Sequence, residues 1–416
     1  MKPRMSVYIE TYGCTASQAR SEIMEGALAA NGMKIAGDAG SADVILLNAC
    51  IVKTPTENRI RDRIKLLIKK YPKKRLVIAG CAADVGFFRS IAPNALFLSS
   101  HKPHGIARLL LKKAVESAGK IRKNPLVGIT EISSGCLGNC SYCIVRLARG
   151  ELKSKSPDEI IADVKRALAD GCMEIWLTSQ DNSCYGFDIG SDLAGLLDKI
   201  AKLDGEFRIR VGMMNPLHTK PILKRLMKAY ENNKVYKFIH IPVQSGSDKI
   251  LKSMGRGYSA GDFENLVGAF RHAFPLATIS TDVITGFPEE TQDDFEKTLQ
   301  LIERIKPDIV NVSKFGARPG TIAARMRQLD NRIAKERSAA MASLVRKIGA
   351  EANKKWLGRT CEIVVTEKGR DKKQFTGRNE SYKPVIVEGK RLLGKVLKVK
   401  ITKCGQTFLA AKINQS

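Results

Sequence analysis

The densest chemical signal in the chain is Gly135-Cys136-Leu137-Gly138-Asn139-Cys140-Ser141-Tyr142-Cys143, which sets three thiols within eight residues of a loop. Gly135 and Gly138 let the backbone curl so that three sulfurs can face one centre. A zinc ion ordinarily completes its shell with a fourth Cys or His at regular spacing, and no nearby histidine does so here. Three thiolates leave one iron of a [4Fe–4S] cluster open to an outside molecule. Cys136, Cys140 and Cys143 therefore point to cluster chemistry at an open iron.

Three more cysteines, Cys14, Cys50 and Cys81, lie 36 and 31 residues apart. Each follows a short apolar run that reads as a strand: Val7–Thr11, Val44–Leu47 and Leu76–Ala79. Helical patterns separate them, among them Ile60, Ile64, Leu67, Ile68 and Tyr71 on one face, stopped by Pro72. Alternating strands and helices make a parallel sheet, and ligand sites in such sheets sit at the carboxyl ends of the strands. The three thiols are expected to meet there. They suit a cluster with one open iron, or a zinc with an open position. Cys172, Cys184, Cys361 and Cys404 stand apart and read as small buried hydrophobes.

Beyond the cysteine loop, strands are expected at Leu126–Ile132, Met173–Thr178, Phe207–Gly212, Lys237–Val243, Thr278–Ile284 and Asp308–Ser313. Helices alternate with them, such as Pro157–Asp170 with Ser156 as its N-cap and Gly171 as its stop. Six βα units make a partial barrel whose working edge is again the carboxyl ends of the strands. The polar loops there contain Gln180, Asp181, Asn215, His240, Gln244 and the run Thr281–Glu289. After Trp356 the pattern changes to five short β runs with glycine turns, the mark of a small barrel. Residues 357–416 hold fourteen Lys/Arg against five Asp/Glu, a net +9, with Phe375, Tyr382 and Phe408 available to pack or to stack on bases.

Composition agrees with this plan. Lys+Arg 70 against Asp+Glu 42 gives +28 over 416 residues, which favours a polyanionic partner such as nucleic acid. No apolar run has the length of a membrane span, and the start lacks a signal-peptide core, so a cytoplasmic protein without a membrane partner is expected.

The order of strand-end cysteines, CxxxCxxC loop and basic β tail resembles the radical S-adenosylmethionine (SAM) methylthiotransferases across nearly the whole chain. The resemblance implies an α/β fold in three segments: an N-terminal parallel α/β domain (1–120), a central partial (β/α)6 radical SAM barrel (121–355) and a C-terminal TRAM-like β-barrel (356–416). It implies two [4Fe–4S] clusters and SAM as cofactors. Cys136, Cys140 and Cys143 would hold the radical-generating cluster, and Cys14, Cys50 and Cys81 the auxiliary one. Tyr142, Gln180, Asn215, Gln244, Ile284 and Gly286 would contact SAM. The last two belong to a segment similar to the GxIxGxxE adenine motif, with Asp282 in place of its first glycine.

Partners implied are tRNA, at adenosine 37 of the anticodon loop, an electron donor and a sulfur source. Within the family, Trp176–Asp181 with Tyr185-Gly186, and Leu147–Gly150, look most like the archaeal and eukaryotic threonylcarbamoyladenosine branch. A threonyl carboxylate calls for a cation, and Arg146, Arg149 and Arg318 are the candidates. An isopentenyladenosine enzyme is the alternative within the family. A non-catalytic RNA-binding iron–sulfur protein is the alternative of another class.

Overall fold

Five parallel strands open the chain, in the spatial order Lys34–Ile35, Ser6–Thr11, Val44–Asn48, Arg75–Ala79, Leu96–Leu98. The computed structural model describes residues 5–51, 54–111, 113–115 and 119–414. The central strand, Val44–Asn48, is buried at every position, as a parallel strand covered on both faces must be. On one face Ile45, Leu47 and Ile78 pack against Ile60, Ile64 and Leu67 of the helix Thr54–Lys70. On the other, Val7, Leu46 and Val77 pack against Met24 and Leu28 of the helix Thr15–Ala30. The two edge strands have only two and three residues, too few to carry a readable alternation.

The chain divides into two compact units. The first comprises Met1–Lys123, Ser134–Cys136 and Cys143–Lys153, and the second comprises Asn124–Ser133, Leu137–Tyr142 and Ser154–Ser416.

In the second unit, six parallel strands follow one another around an open barrel: Val127–Glu131, Glu174–Thr178, Arg208–Val211, Phe238–His240, Thr278–Thr285 and Ile309–Lys314. The third and fourth are joined by a parallel bridge between Ile209 and Val235. Residues facing the helices, such as Ile175, Leu177, Ile209, Val211 and Ile279, form one core with Ile160, Val164, Leu196 and Leu266. The helix Pro157–Ala169 starts with a capping box: Ser156 Oγ accepts the Glu159 N–H, and the Glu159 carboxylate accepts the Ser156 N–H.

The tail is a closed barrel of Thr360–Lys368, Gln374–Asn379, Pro384–Glu388, Leu409–Ile413 and Val396–Cys404 in that order around the ring. It clusters with the (β/α)6 barrel in one unit, although the composition break at 356 suggests a free-standing module. The reason is a shared polar and aromatic junction at the amino ends of the barrel strands. Buried Glu174 accepts hydrogen bonds from Trp176 Nε1 (2.8 Å), Tyr236 Oη (3.1 Å) and the tail's Thr366 Oγ1 (3.3 Å). Lys383 Nζ pairs with Asp308 at 2.8 Å, and the Lys237 N–H donates to the Glu380 carbonyl.

Candidate functional site

The first unit places Cys14, Cys50 and Cys81 just past the carboxyl ends of three adjacent parallel strands. Cys14 caps the helix Thr15–Ala30, Cys50 follows Asn48, and Cys81 opens the short helix Cys81–Asp84. Gly80 makes the last turn possible: its φ is 85°, and a side chain there would collide with Asn48 and the Ala49 carbonyl. Cys50 and Cys81 are buried, while Cys14 is exposed. Burial, and next the adjacent Cys50 sulfur, push the Cys81 thiol above its ordinary range, while the Arg20 charge pulls it down. A buried thiol of this kind loses its proton to a metal rather than to water.

The helix Val145–Arg149, which follows Cys143, packs on the helix that begins with Cys81. Ile144 and Ala148 share a core with Cys81, Ala82 and Phe88. Arg149 is 3% exposed, and its Nε donates to Cys81 Sγ at 3.2 Å. Its Nη1 is buried without a hydrogen-bond partner. Arg146 lies on the same helix, more exposed, with Glu151 at 3.6 Å.

The cysteine loop is threaded tightly. Gly135 has φ 78°, a side chain there would collide with the Glu151 carbonyl, and the Cys136 N–H meets the Gly150 carbonyl. Cys136 and Cys143 group with the first unit and Cys140 with the second. Within the second unit Ser141 is pinned three ways: its N–H donates to Met254 O, its hydroxyl to Ser253 O, and its carbonyl accepts from Ala323 N. Buried Arg256 donates from Nη1 to Cys140 Sγ at 3.1 Å and to Tyr142 Oη at 3.5 Å, and from Nε to Tyr258 Oη at 2.9 Å. Arg256 sits between Gly255 (φ 68°) and Gly257 (φ 70°), and that Gly-Arg-Gly run is the local mark it leaves in the sequence.

Around it lie the residues expected to contact SAM. Tyr142 packs edge-to-face on Phe287, with ring centroids 6.3 Å apart, in an apolar cluster that includes Ile284 and Phe315. Gln244 is buried with φ 71°, and its backbone bridges Asp282 and Ile284. Asn215 is buried as the N-cap of Pro216–Thr219, and its N–H meets Asp181. Gly286 (φ 72°) donates its N–H to Glu290 Oε2 at 2.8 Å, and Arg337 Nη1 pairs with the same oxygen at 2.7 Å. Glu290, one residue beyond the motif glutamate, does this work, while Glu289 is exposed. Arg318 is 4% exposed in the loop after the sixth strand.

Four side-chain oxygens at this edge, Ser179 Oγ, Gln180 Oε1, Gln244 Oε1 and Thr285 Oγ1, are buried with no hydrogen-bond partner. Such groups are costly unless a ligand satisfies them. SAM fits: its ammonium, ribose hydroxyls and adenine amino group are all donors.

Asp181, Cys184 and His218 also lie together, their ligand atoms within 4.8 Å. Asp181 Oδ2 and His218 Nδ1 are 2.6 Å apart, a hydrogen bond, and Asp181 Oδ1 accepts from Ser183 Oγ and Asn215 N. Burial raises the Asp181 carboxyl, but these donors, His218 first, hold it below the ordinary carboxylate range. The cluster is a satisfied brace that ties the second strand's loop to the third's.

Family models match along the chain in the order of these parts. The uncharacterized protein family UPF0004 matches residues 6–89, the radical SAM superfamily 130–302 and the TRAM domain 354–413. The chain is 38% identical to a probable threonylcarbamoyladenosine tRNA methylthiotransferase of Pyrococcus horikoshii, over 98% of this chain and 99% of that one. It is 41% identical to the probable enzyme of that name from Archaeoglobus fulgidus (98% and 99%), and 36% identical to the Drosophila melanogaster enzyme (98% and 77%). Among solved structures, a radical SAM methyltransferase from Kitasatospora setae shares the fold with a TM-score of 0.56, at 12% identity over 77% of each chain. The succession of matched parts and the near-complete overlap with these relatives place the chain in the family of radical SAM tRNA methylthiotransferases.

Proposed function

We infer that the protein is a threonylcarbamoyladenosine tRNA methylthiotransferase, which replaces the C2–H of threonylcarbamoyladenosine-37 with C–S–CH3. The enzyme uses SAM and two [4Fe–4S] clusters. Reduced by one electron at its cluster, SAM supplies a carbon radical able to take hydrogen from an unactivated C–H bond. Cys136, Cys140 and Cys143 would hold that cluster, and Cys14, Cys50 and Cys81 the auxiliary one. Tyr142, Gln180, Asn215, Gln244, Ile284 and Gly286 would hold SAM.

The observation that carries this reading is the helix Val145–Arg149, which leaves the CxxxCxxC loop and docks on the helix of Cys81. Sulfur insertion requires the hydrogen-abstracting and sulfur-donating sites to be neighbours, and within the first unit this helix runs from Cys143 to the helix of Cys81. Arg256 holds Cys140 and Tyr142 in place, and the polar edge above the barrel orients the cofactor. With Arg149 engaged at Cys81, Arg318 would be the arginine to meet the threonyl carboxylate.

The tail offers exposed Lys398, Lys400, Lys403 and Lys412 with half-exposed Phe408 to the tRNA backbone. A one-electron donor and a sulfide source complete the set of partners. Among the described residues no helix is long and apolar enough to cross a membrane. Ten cysteines, none of them in a disulfide among the described residues, suit the reducing cytosol.

The test is direct: anaerobically reconstituted, reduced protein is mixed with SAM, sulfide and tRNA bearing either threonylcarbamoyladenosine or isopentenyladenosine. The 2-methylthio product is expected only on the first. Product only on the second moves the enzyme to the other branch, and SAM intact in both makes it a non-catalytic cluster protein.

A further inference from the structure

Arg149 has a property that substrate binding would not explain. Its guanidinium is almost fully buried, one nitrogen (Nε) is engaged by Cys81 Sγ at 3.2 Å, and another (Nη1) is buried with nothing to donate to. A guanidinium stays charged at every ordinary pH, so an unpaired buried donor on it is costly unless an anion belongs beside it. Ile144 and Ala148 lock its helix into the core that contains Cys81, so the group cannot swing out to water. A cluster on three thiolates is already anionic, and an anionic sulfur ligand at its open iron adds more negative charge in a low-dielectric interior.

We propose that Arg149 is the positioning residue for the sulfur that the auxiliary cluster carries: Nε fixes the Cys81 sulfur, and Nη1 receives an anionic sulfur ligand, sulfide or methanethiolate, bound at the open iron. The inference rests on the reading that Cys14, Cys50 and Cys81 hold that cluster. Arg149 sets which ligand the open iron retains, favouring anionic sulfur over neutral donors of similar size.

The test uses the full chain with Cys136, Cys140 and Cys143 all replaced by Ala, so that only the auxiliary cluster remains. Sodium methanethiolate, sodium hydrosulfide and neutral tert-butyl isocyanide are titrated separately, and the electron paramagnetic resonance spectrum of the reduced cluster reports binding. Arg149→Gln is expected to weaken both anions by about 10- to 150-fold, the loss of one charge-assisted hydrogen bond, and to leave the isocyanide unchanged. A loss confined to one anion identifies which form of sulfur the site holds. Unchanged anion affinity, or an equal loss for the isocyanide, overturns the proposal. Arg149→Lys keeps the charge but not the planar fork that spans two separate acceptors, so it too should bind the anions more weakly; affinity equal to the parent's overturns the proposal even where the Gln variant holds no iron. A parent without iron would instead overturn the cluster reading on which the proposal stands.

Discussion

Tyr382 of the tail lies over Arg210 of the third barrel strand, with the guanidinium carbon 5.2 Å from the ring centroid. Trp176 and Phe238 approach the same guanidinium at 5.4 and 5.1 Å, so three rings from two barrels enclose one cation. Tyr382 adopts φ 62°, a conformation that a bulky residue holds only when its surroundings demand it. The tail is thus a floor for the barrel, at the end opposite the carboxyl ends of its strands.

Truncation after residue 356 should therefore cost more than tRNA affinity. Tyr382→Ala is expected to destabilise the protein by less than the about 3–5 kcal/mol of a fully buried aromatic, because Tyr382 is half-buried. Deletion of the tail should lower the melting temperature and abolish SAM cleavage along with tRNA binding. A truncated protein that melts normally and cleaves SAM at the full rate would show the junction to be dispensable.

Arg256 donates to Cys140, which would hold the radical cluster. Partners that orient a metal ligand typically contribute 10- to 100-fold to activity, so Arg256→Met should slow 5′-deoxyadenosine release by about that factor. Iron content should stay near that of the wild type, because the cysteines remain. Unaltered release would mean that the hydrogen bond has no influence on the cluster.

Arg318 is the test of substrate recognition. Arg318→Ala is expected to reduce the preference for threonylcarbamoylated over unmodified tRNA by about 10- to 150-fold, with SAM affinity unchanged. Weaker SAM binding with preference intact would assign Arg318 to the cofactor.

Glu25 gives a pH-dependent stability effect away from both sites. Burial, and next the Glu22 carboxylate, lift its carboxyl to about 6, from 4.5 in the unfolded chain. Between those values the folded protein holds a proton that the unfolded chain has lost, so stability falls as pH rises through the window. At neutral pH the ionised group is a net cost, under about 1 kcal/mol once solvent screening of this part-exposed side chain is allowed for. Glu25→Gln should raise the melting temperature at pH 7.5 and lose that advantage near pH 4. An equal gain at both pH values would point to packing instead of ionisation.

Much of this architecture is legible in the residues. The strands before Cys50 and Cys81 are largely buried aliphatics, the one before Cys14 buries only Val7, and all six barrel strands coincide with apolar stretches within a residue or a few of their ends. What could not be read is which surface each part turns to its neighbours. Tyr382 and Phe375 look like stacking platforms in a basic tail, yet one closes the junction and the other fills the tail's own core, which leaves Phe408 exposed. Arg149 looks like a substrate cation because its charge and its nearness to the cysteine loop are visible in sequence. Its hydrogen bond to Cys81, 68 residues away, is not. Arg256 lies 116 residues from Cys140, with only flanking glycines to mark it. Long-range side-chain pairing of this kind leaves no local periodicity.

The central claim concerns what the two cysteine sets do together on one nucleoside. Mass spectrometry of tRNA nucleosides from cells lacking the gene, and from the same cells complemented with wild type, Cys50→Ala or Cys140→Ala, tests it most directly. The expected result is loss of 2-methylthio-threonylcarbamoyladenosine with accumulation of threonylcarbamoyladenosine, restored by wild type and by neither variant. An unchanged 2-methylthio signal in the deletion, or full restoration by either cysteine variant, would contradict it.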